Sequence, residues 1–427
     1  MVTLEVILDR KNLQRAMEQV ARNKGAAGID GYSAEDVRKW FTDHPYKLTT
    51  AVRNGSYKPS PIKRVYIPKG NGEKRPLGIS TVADRTLQTA LATVLSEFYD
   101  DSFSNGSHGF RPGRSCHTAM KQAIQYADEG YCCVVDMDLR KFFDTVNHSK
   151  LLQVLSKRIK DGRVIALVNK MLKAKVLDNK KLIPTTEGIP QGNAASPVLA
   201  NILLNELDWE LERRGHKFVR YADDMMIFCK SKRAAERTLV SISKFIEQKL
   251  FLQINKEKTS VSRLSPRVKF LGFGFYRNPK TGKWKPTVHK KSKQKLRKRI
   301  KEVLDRRCPR GIESTQTLLR QVLTGWGNYY RIALTRGTQI REVDTWIRRR
   351  IRQLVLKSWK RKWTRYQRLH QIYGDQWAHM EQACRRVAFS SQGYWALAQT
   401  ANQALTNKWL KAEGWTWVAS VLKLEKN

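Results

Sequence analysis

Apolar and polar positions along the chain change period several times, and each change marks an element. Residues 1–60 carry helical spacing broken by a Gly-rich turn at Gly25–Gly31. Val65–Pro68 predicts a short strand running into the turn Lys69-Gly70-Asn71-Gly72, and Asp84–Phe98 predicts a helix. Tyr131–Asp138 is rich in β-formers, with Cys132, Cys133, Val134 and Val135 in succession. Helices follow at Asn147–Ile159, with Leu151, Leu152 and Leu155 on one face, at Ser196–Arg213 and at Ala234–Leu250. Phe218–Cys229 predicts two short strands around a tight centre, and Val268–Phe275 another strand. This middle stretch fits a split βαβ sheet, an α+β arrangement. Pro and Gly punctuate Tyr276–Pro286, which predicts a boundary. Beyond it the chain is almost wholly helical, and Val343, Ile347, Ile351 and Leu354 stand at helical spacing among Arg and Lys.

Composition adds direction to this outline. The 427 residues exceed the usual size of one core, so two or three units are expected. Lys plus Arg number 81 against 38 Asp plus Glu, a formal net charge of +43, and such a field attracts polyanions. Residues 281–370 hold 27 Lys plus Arg and 5 Asp plus Glu, a net of +22, and ten of the 12 Trp lie after residue 280. Basic residues interleaved with aromatics suit a surface that follows a nucleic-acid backbone. Charge alone leaves a nucleic-acid enzyme and a nucleic-acid binder equally open. The six Cys form no C-x-x-C pair, which speaks against structural zinc and fits free thiols in a reducing cytosol. No long apolar run predicts a signal peptide or a membrane span.

The chemistry concentrates in two acidic segments. Arg220-Tyr-Ala-Asp-Asp-Met-Met-Ile-Phe228 sets two adjacent acids among apolar strand residues. Asp is disfavoured in strands, and burying charge is costly unless it is paired or metal-bound. A hairpin whose turn presents Asp223 and Asp224 to a cation resolves the conflict; a plain solvated Asp-Asp turn also would. Val134-Val-Asp-Met-Asp-Leu-Arg-Lys-Phe-Phe-Asp144 likewise ends a β-run in acids, and alternation places Asp136 and Asp138 on one face. Asp144 fits an N-cap for the next helix. One of the strand acids meeting Asp223 would form a site for two Mg²⁺ ions, roughly 3.5–4 Å apart, able to activate a hydroxyl and stabilise a leaving pyrophosphate. Mg²⁺ prefers carboxylate oxygens completed by substrate phosphate, so two or three Asp suffice.

At this point the chain resembles a known family. Tyr221-Ala-Asp-Asp224 is similar to the YADD box of reverse transcriptases, and Asp138 to Phe143 resembles their other catalytic box, an Asp followed five residues later by an aromatic. That resemblance selects Asp138 over Asp136 as the metal ligand beside Asp223 and Asp224. It implies that Phe143 underlies the sugar of the incoming nucleotide and favours dNTPs; an RNA-copying RNA polymerase would typically carry a second Asp there. Ile189-Pro-Gln-Gly-Asn-Ala-Ala-Ser-Pro197 resembles the family's PQG box, with Gln191 against nucleotide and template. Lys69-Gly-Asn-Gly-Glu-Lys-Arg-Pro76 looks like the fingers hairpin, with Lys69 and Arg75 on the triphosphate. Ser107-His-Gly-Phe-Arg-Pro-Gly-Arg-Ser115 resembles a box marked in group II intron enzymes and offers Arg111 and Arg114 to template phosphates. Phe270–Phe275 is similar to the last polymerase box, and Gly325-Trp-Gly-Asn-Tyr-Tyr330 looks like the thumb, or maturase, domain.

The resemblance to group II intron-encoded reverse transcriptases covers roughly residues 20–380, with the boxes in order. It implies an α+β right-hand polymerase: fingers and palm over 1–282, including an N-terminal extension at 1–60, then an all-α thumb over 283–380 and a short basic, DNA-binding segment over 381–427. The implied reaction is RNA-templated extension of a DNA primer with dNTPs and two Mg²⁺. The implied partners are intron RNA and target DNA, with no membrane, in the bacterial cytoplasm. The absence of a His and Cys-pair motif predicts no endonuclease, as in the compact IIC type. Two other readings stay open on the residues: a splicing cofactor without catalysis, and a retron or diversity-generating reverse transcriptase.

Overall fold

A computed structural model describes residues 1–68, 72–305, 307, 311–334, 337–390 and 397–424. The chain divides into two compact units, Met1–Leu264 and Ser265–Asn427.

The first unit is built around two four-stranded sheets. In one, β1 (Ile62–Pro68) lies between β2 (Lys74–Ile79) and β4 (Val176–Asp178), with β5 (Lys181–Ile183) beyond β4. The other has the order β6-β7-β3-β8, where β3 is Cys133–Met137, β6 is Lys217–Tyr221, β7 is Asp224–Cys229 and β8 is Ser260–Arg263. All its pairings are antiparallel. The predicted hairpin across Phe218–Cys229 is therefore present, and β3 runs up its far side. Two long helices, Val82–Tyr99 and Ser196–Arg213, are buried on several sides, with Leu87, Leu91, Leu95, Leu203, Leu204, Leu207 and Leu211 fully enclosed. Such all-round burial explains why their apolar positions spread past one stripe. The helix Lys232–Lys249 packs on β3, β7 and β8 through Ala235, Ile242 and Ile246.

The segment after β3 departs from one expectation. Asp144 lies inside a single helical turn, Phe142–Thr145, and Asn147 caps the following helix His148–Ser156 by accepting the Lys150 N–H at 2.9 Å. Asn competes well for a cap because its side-chain oxygen reaches the second or third free N–H; Asp144 is left for other work.

The second unit opens with a two-stranded hairpin, β9 (Phe273–Arg277) and β10 (Trp284–Val288). The predicted strand over 268–275 starts late because Leu271 (φ 48°) and Gly272 (φ 82°) turn left-handed. The Pro- and Gly-punctuated segment is the turn of this hairpin followed by β10. The rest is helical, led by Lys290–Val303, Ile312–Tyr330 and Gly337–Ser358. Leu296, Ile300, Leu319, Leu323, Ile347 and Ile351 form its interior. The two glycine-aromatic motifs meet here: Phe273 stacks on Tyr329 with ring centroids 5.6 Å apart, and the Tyr329 hydroxyl donates to Leu271 O at 2.9 Å. A Cβ on Gly272 would stand 2.5 Å from the Tyr330 hydroxyl, so only glycine fits.

Candidate active site

The strongest constraint at the site is strand register. In the hairpin, Tyr221 pairs with Asp224, leaving Ala222 and Asp223 as a two-residue turn with Ala222 left-handed at φ 57°. On the other side of β7, Met137 pairs with Met225. One further step along that register sets Asp138 beside Asp224. Acids 85 residues apart in sequence thus reach one sheet edge, with Asp138 and Asp223 half-buried and Asp224 exposed.

The hairpin is held from beneath by Arg220, which is fully buried with its partner Asp208. Its guanidinium donates to both Asp208 oxygens, to Asn201 Oδ1 at 2.9 Å, to Ser107 Oγ at 2.8 Å and to the Ala222 carbonyl at 3.0 Å. Burial pushes the Asp208 carboxyl up, and the Arg220 guanidinium opposes that shift. The Ser107–Ser115 segment is laced to the same strand, since Arg220 N donates to Gly106 O and His108 N to Arg220 O, each at 2.8 Å.

Asp138 is engaged on its outer side. Its Oδ2 accepts Asn255 Nδ2 at 2.9 Å and lies 3.6 Å from Lys258 Nζ, while Thr259 Oγ1 accepts the Asp138 N–H. A positive group already faces this carboxylate. Among the described residues no three His, Cys, Asp or Glu side chains are gathered closely enough to hold a metal ion by themselves. The all-oxygen donors at this edge nevertheless fit Mg²⁺, which takes one or two carboxylates and completes its shell with water and substrate phosphate.

A cavity of about 340 Å³ is lined by Lys141, Phe143 and Asp144, on the segment that follows Asp138, and by Gly78, Arg64 and Gln191 among others. The Pro-Gln-Gly turn is tied in from two sides. Ile189 N donates to Phe143 O and Gly78 N to Gln191 O, each at 2.6 Å. A Cβ on Gly192 (φ 103°) would meet Gly78 O at 2.4 Å, so glycine is required for the approach. The result is a chain of side chains: Arg75 Nε donates to Gln191 Oε1 at 2.9 Å, and Gln191 Nε2 donates to Asp144 Oδ1 at 3.3 Å. Arg75, Phe143 and Gln191 are therefore brought together. Lys69 lies outside the described residues.

Arg111 and Arg114 are placed differently. Arg111 is spent within the protein, on Asp100 Oδ1 at 2.8 Å, Asp100 O, Ser104 O and Ser107 O. Arg114 is half-buried and donates to Asn105 O and Asn105 Oδ1. Four residues at or beneath the site were not singled out from sequence: Asn255, Lys258, Asp208 and Arg220. Lys258 is one basic residue among 81 and carries no local mark. Asp208 and Arg220 did carry one, since Asp208 sits on the apolar face of a helix and Arg220 inside an apolar strand. A charge in each of two buried elements is the signature of a buried pair.

Residues 67–275 fit the family described as reverse transcriptase (RNA-dependent DNA polymerase), and residues 293–374 fit the group II intron maturase-specific domain. The fold is that of a reverse transcriptase, followed by the helices of a maturase domain. The group II intron-encoded protein LtrA of Lactococcus lactis subsp. cremoris is 32% identical over 330 residues, 60% of this chain and 54% of LtrA. The protein YkfC of Escherichia coli (strain K12) is 31% identical over 309 residues, 63% of this chain and 81% of YkfC. The chain belongs to the family of group II intron-encoded reverse transcriptases and maturases. It spans about half the length of LtrA.

Proposed function

We propose that the chain is an RNA-directed DNA polymerase that extends a primer with dNTPs on an RNA template, and a maturase that binds its parent intron RNA in splicing and in copying to a new DNA site. The observation that carries this reading is the register that brings Asp138 to the Ala222–Asp223 turn, with Phe143, five residues on from Asp138, lining a cavity together with Gln191. Family membership supports the polymerase half through residues 67–275 and the intron RNA half through residues 293–374.

In the proposed reaction the primer 3′-hydroxyl oxygen bonds to the dNTP α-phosphorus, and the bond from that phosphorus to pyrophosphate breaks. Two Mg²⁺ held by Asp138, Asp223 and Asp224, when bound, would lower the pKa of the attacking hydroxyl and neutralise the leaving group. The protein's own part is placement. Arg75 meets the triphosphate as a bidentate cation, with Lys69 as its proposed partner. Gln191 fixes Arg75 and faces the nucleotide. Phe143 lies under the sugar and excludes a 2′-hydroxyl. Arg111 and Arg114 order the segment under the template, both of them half-buried. In domain terms we propose fingers and palm to residue 282, a thumb over 283–380 and a DNA-binding segment over 381–427. The basic helices suit the RNA–DNA duplex and the intron RNA, where affinity comes from counterion release. No described helix is long and apolar enough to cross a membrane; LtrA and YkfC are bacterial, which supports action in the bacterial cytoplasm.

The maturase-domain match favours the intron type over a retron or diversity-generating enzyme. Primer extension on an RNA template with dNTPs and Mg²⁺ separates the polymerase from a splicing cofactor without catalysis. Complementary DNA that disappears with EDTA is expected; folded protein that binds the template and makes no product would overturn the enzymatic reading.

A further inference from the structure

We propose that Arg220, anchored by Asp208 and Asn201, is a positioning residue that sets the catalytic hairpin turn and so fixes where Asp223 and Asp224 present their carboxylates. This rests on the polymerase reading above, and extends it to residues that touch neither nucleotide nor template.

The geometry closes a ring around the turn. Arg220 Nη1 donates to the Ala222 carbonyl at 3.0 Å and to Asn201 Oδ1 at 2.9 Å. Asn201 Nδ2 in turn donates to Gly109 O at 2.8 Å. Gly109 then presses on the turn from outside, where a Cβ would stand 2.3 Å from Ala222 N. Ala222 is thus fixed on its carbonyl side by Arg220 and on its amide side by Gly109. It is also the residue that adopts the left-handed conformation at φ 57°. An alanine leaves that conformation readily unless neighbours hold it there.

A purely stabilising pair accounts for less of this. Buried ion pairs contribute little net stability against an apolar replacement of the same size, because desolvation offsets attraction. Here the guanidinium directs its donors to Asp208, Asn201, Ser107 and Ala222, on the helix Ser196–Arg213, on the Ser107–Ser115 segment and on the turn itself. Lysine keeps the charge and the contact to Asp208 but lacks the planar fork needed to reach the other three. Arg220 and Asp208 are both fully buried, so solvent does not substitute for a missing donor.

The test compares the parent with Arg220→Lys in three measurements on the full chain. These are Mn²⁺ titration followed by electron paramagnetic resonance, affinity for an RNA–DNA primer duplex, and kcat and KM for dNTP. The positioning role predicts Mn²⁺ half-saturation raised at least threefold and kcat lowered at least tenfold, with duplex affinity and KM changed less than twofold. A folded Arg220→Lys protein with parent-like Mn²⁺ binding overturns it. If Arg220→Lys does not fold, Asn201→Ala decides, since it leaves the ion pair intact and breaks the ring. Weakened Mn²⁺ binding is then expected, and unchanged binding overturns the proposal. A parent that binds Mn²⁺ but extends no primer would remove the polymerase reading, while the titration still decides the role of Arg220.

Discussion

The two units of this chain use charge in opposite ways. At the sheet edge of the first, a few charges are fixed by register and burial: Arg220 and Asp208 are wholly enclosed, and Asp138 is held by Asn255 and Lys258. In the second unit charge is plentiful and loosely held. The helix Lys290–Val303 buries Leu296, Ile300 and Val303 and turns most of its Lys and Arg outward. Among the described residues Arg352 differs: it is buried and donates to Leu405 O at 2.6 Å and to Asn407 Oδ1 at 2.8 Å. Bond-making requires a few groups placed to within fractions of an ångström. Gripping a polyanion requires a field, and tolerates each member moving. The contrast predicts that damage to the first unit is abrupt and local, and damage to the second gradual and additive.

The largest effect expected is on the hairpin acids. Asp223→Ala with Asp224→Ala should abolish DNA synthesis, a loss on the order of a thousandfold or more, and leave RNA binding within about twofold by filter binding. Loss of RNA binding in that variant would break the division between the units. Next comes the sugar gate. Phe143→Ala should admit ribonucleotides and lower dNTP-over-rNTP discrimination by roughly tenfold to a hundredfold, the range expected when one ring is removed from a packed pocket; unchanged discrimination removes Phe143 from that role. The smallest effects belong to the basic helix. Replacing Lys291, Lys293 and Lys295 by Ala should weaken RNA binding modestly and reduce the slope of log affinity against log salt by about one for each phosphate no longer neutralised. A steep loss from any single one of them would mean that the second unit also works by precise placement.

Much of the site was legible from residues alone, for a physical reason. Acids inside apolar strands stand against their surroundings, so Asp223, Asp224 and the pair Asp136 and Asp138 announce themselves, and the choice of Asp138 within that pair came from the family resemblance. The helix Ser196–Arg213 was legible to its ends because Pro197 opens it and Arg213-Arg-Gly215 closes it. The failures are equally specific. Strands β4 and β5 are three residues each, too short for a period to show, and β5 is exposed throughout. Strand β10 was hidden by Pro286, which is tolerated because β10 pairs only with β9. Asp144 reads as a cap in sequence, yet Asn147 takes the cap and Asp144 turns to Gln191. Arg111 reads as a phosphate ligand, but its donors reach Asp100, Ser104 and Ser107. Long-range hydrogen bonds of this kind leave no periodic trace.

The central claim is that acids distant in sequence share one cation site at the edge of the β6-β7-β3-β8 sheet. Iron-directed cleavage tests it most directly: Fe²⁺ in place of Mg²⁺, with ascorbate and peroxide, cuts the backbone next to wherever the ion sits. Cuts at both 136–140 and 222–225 in the same protein, suppressed by excess Mg²⁺, are the expected result. Cutting confined to one of these segments, or spread elsewhere along the chain, would contradict the account.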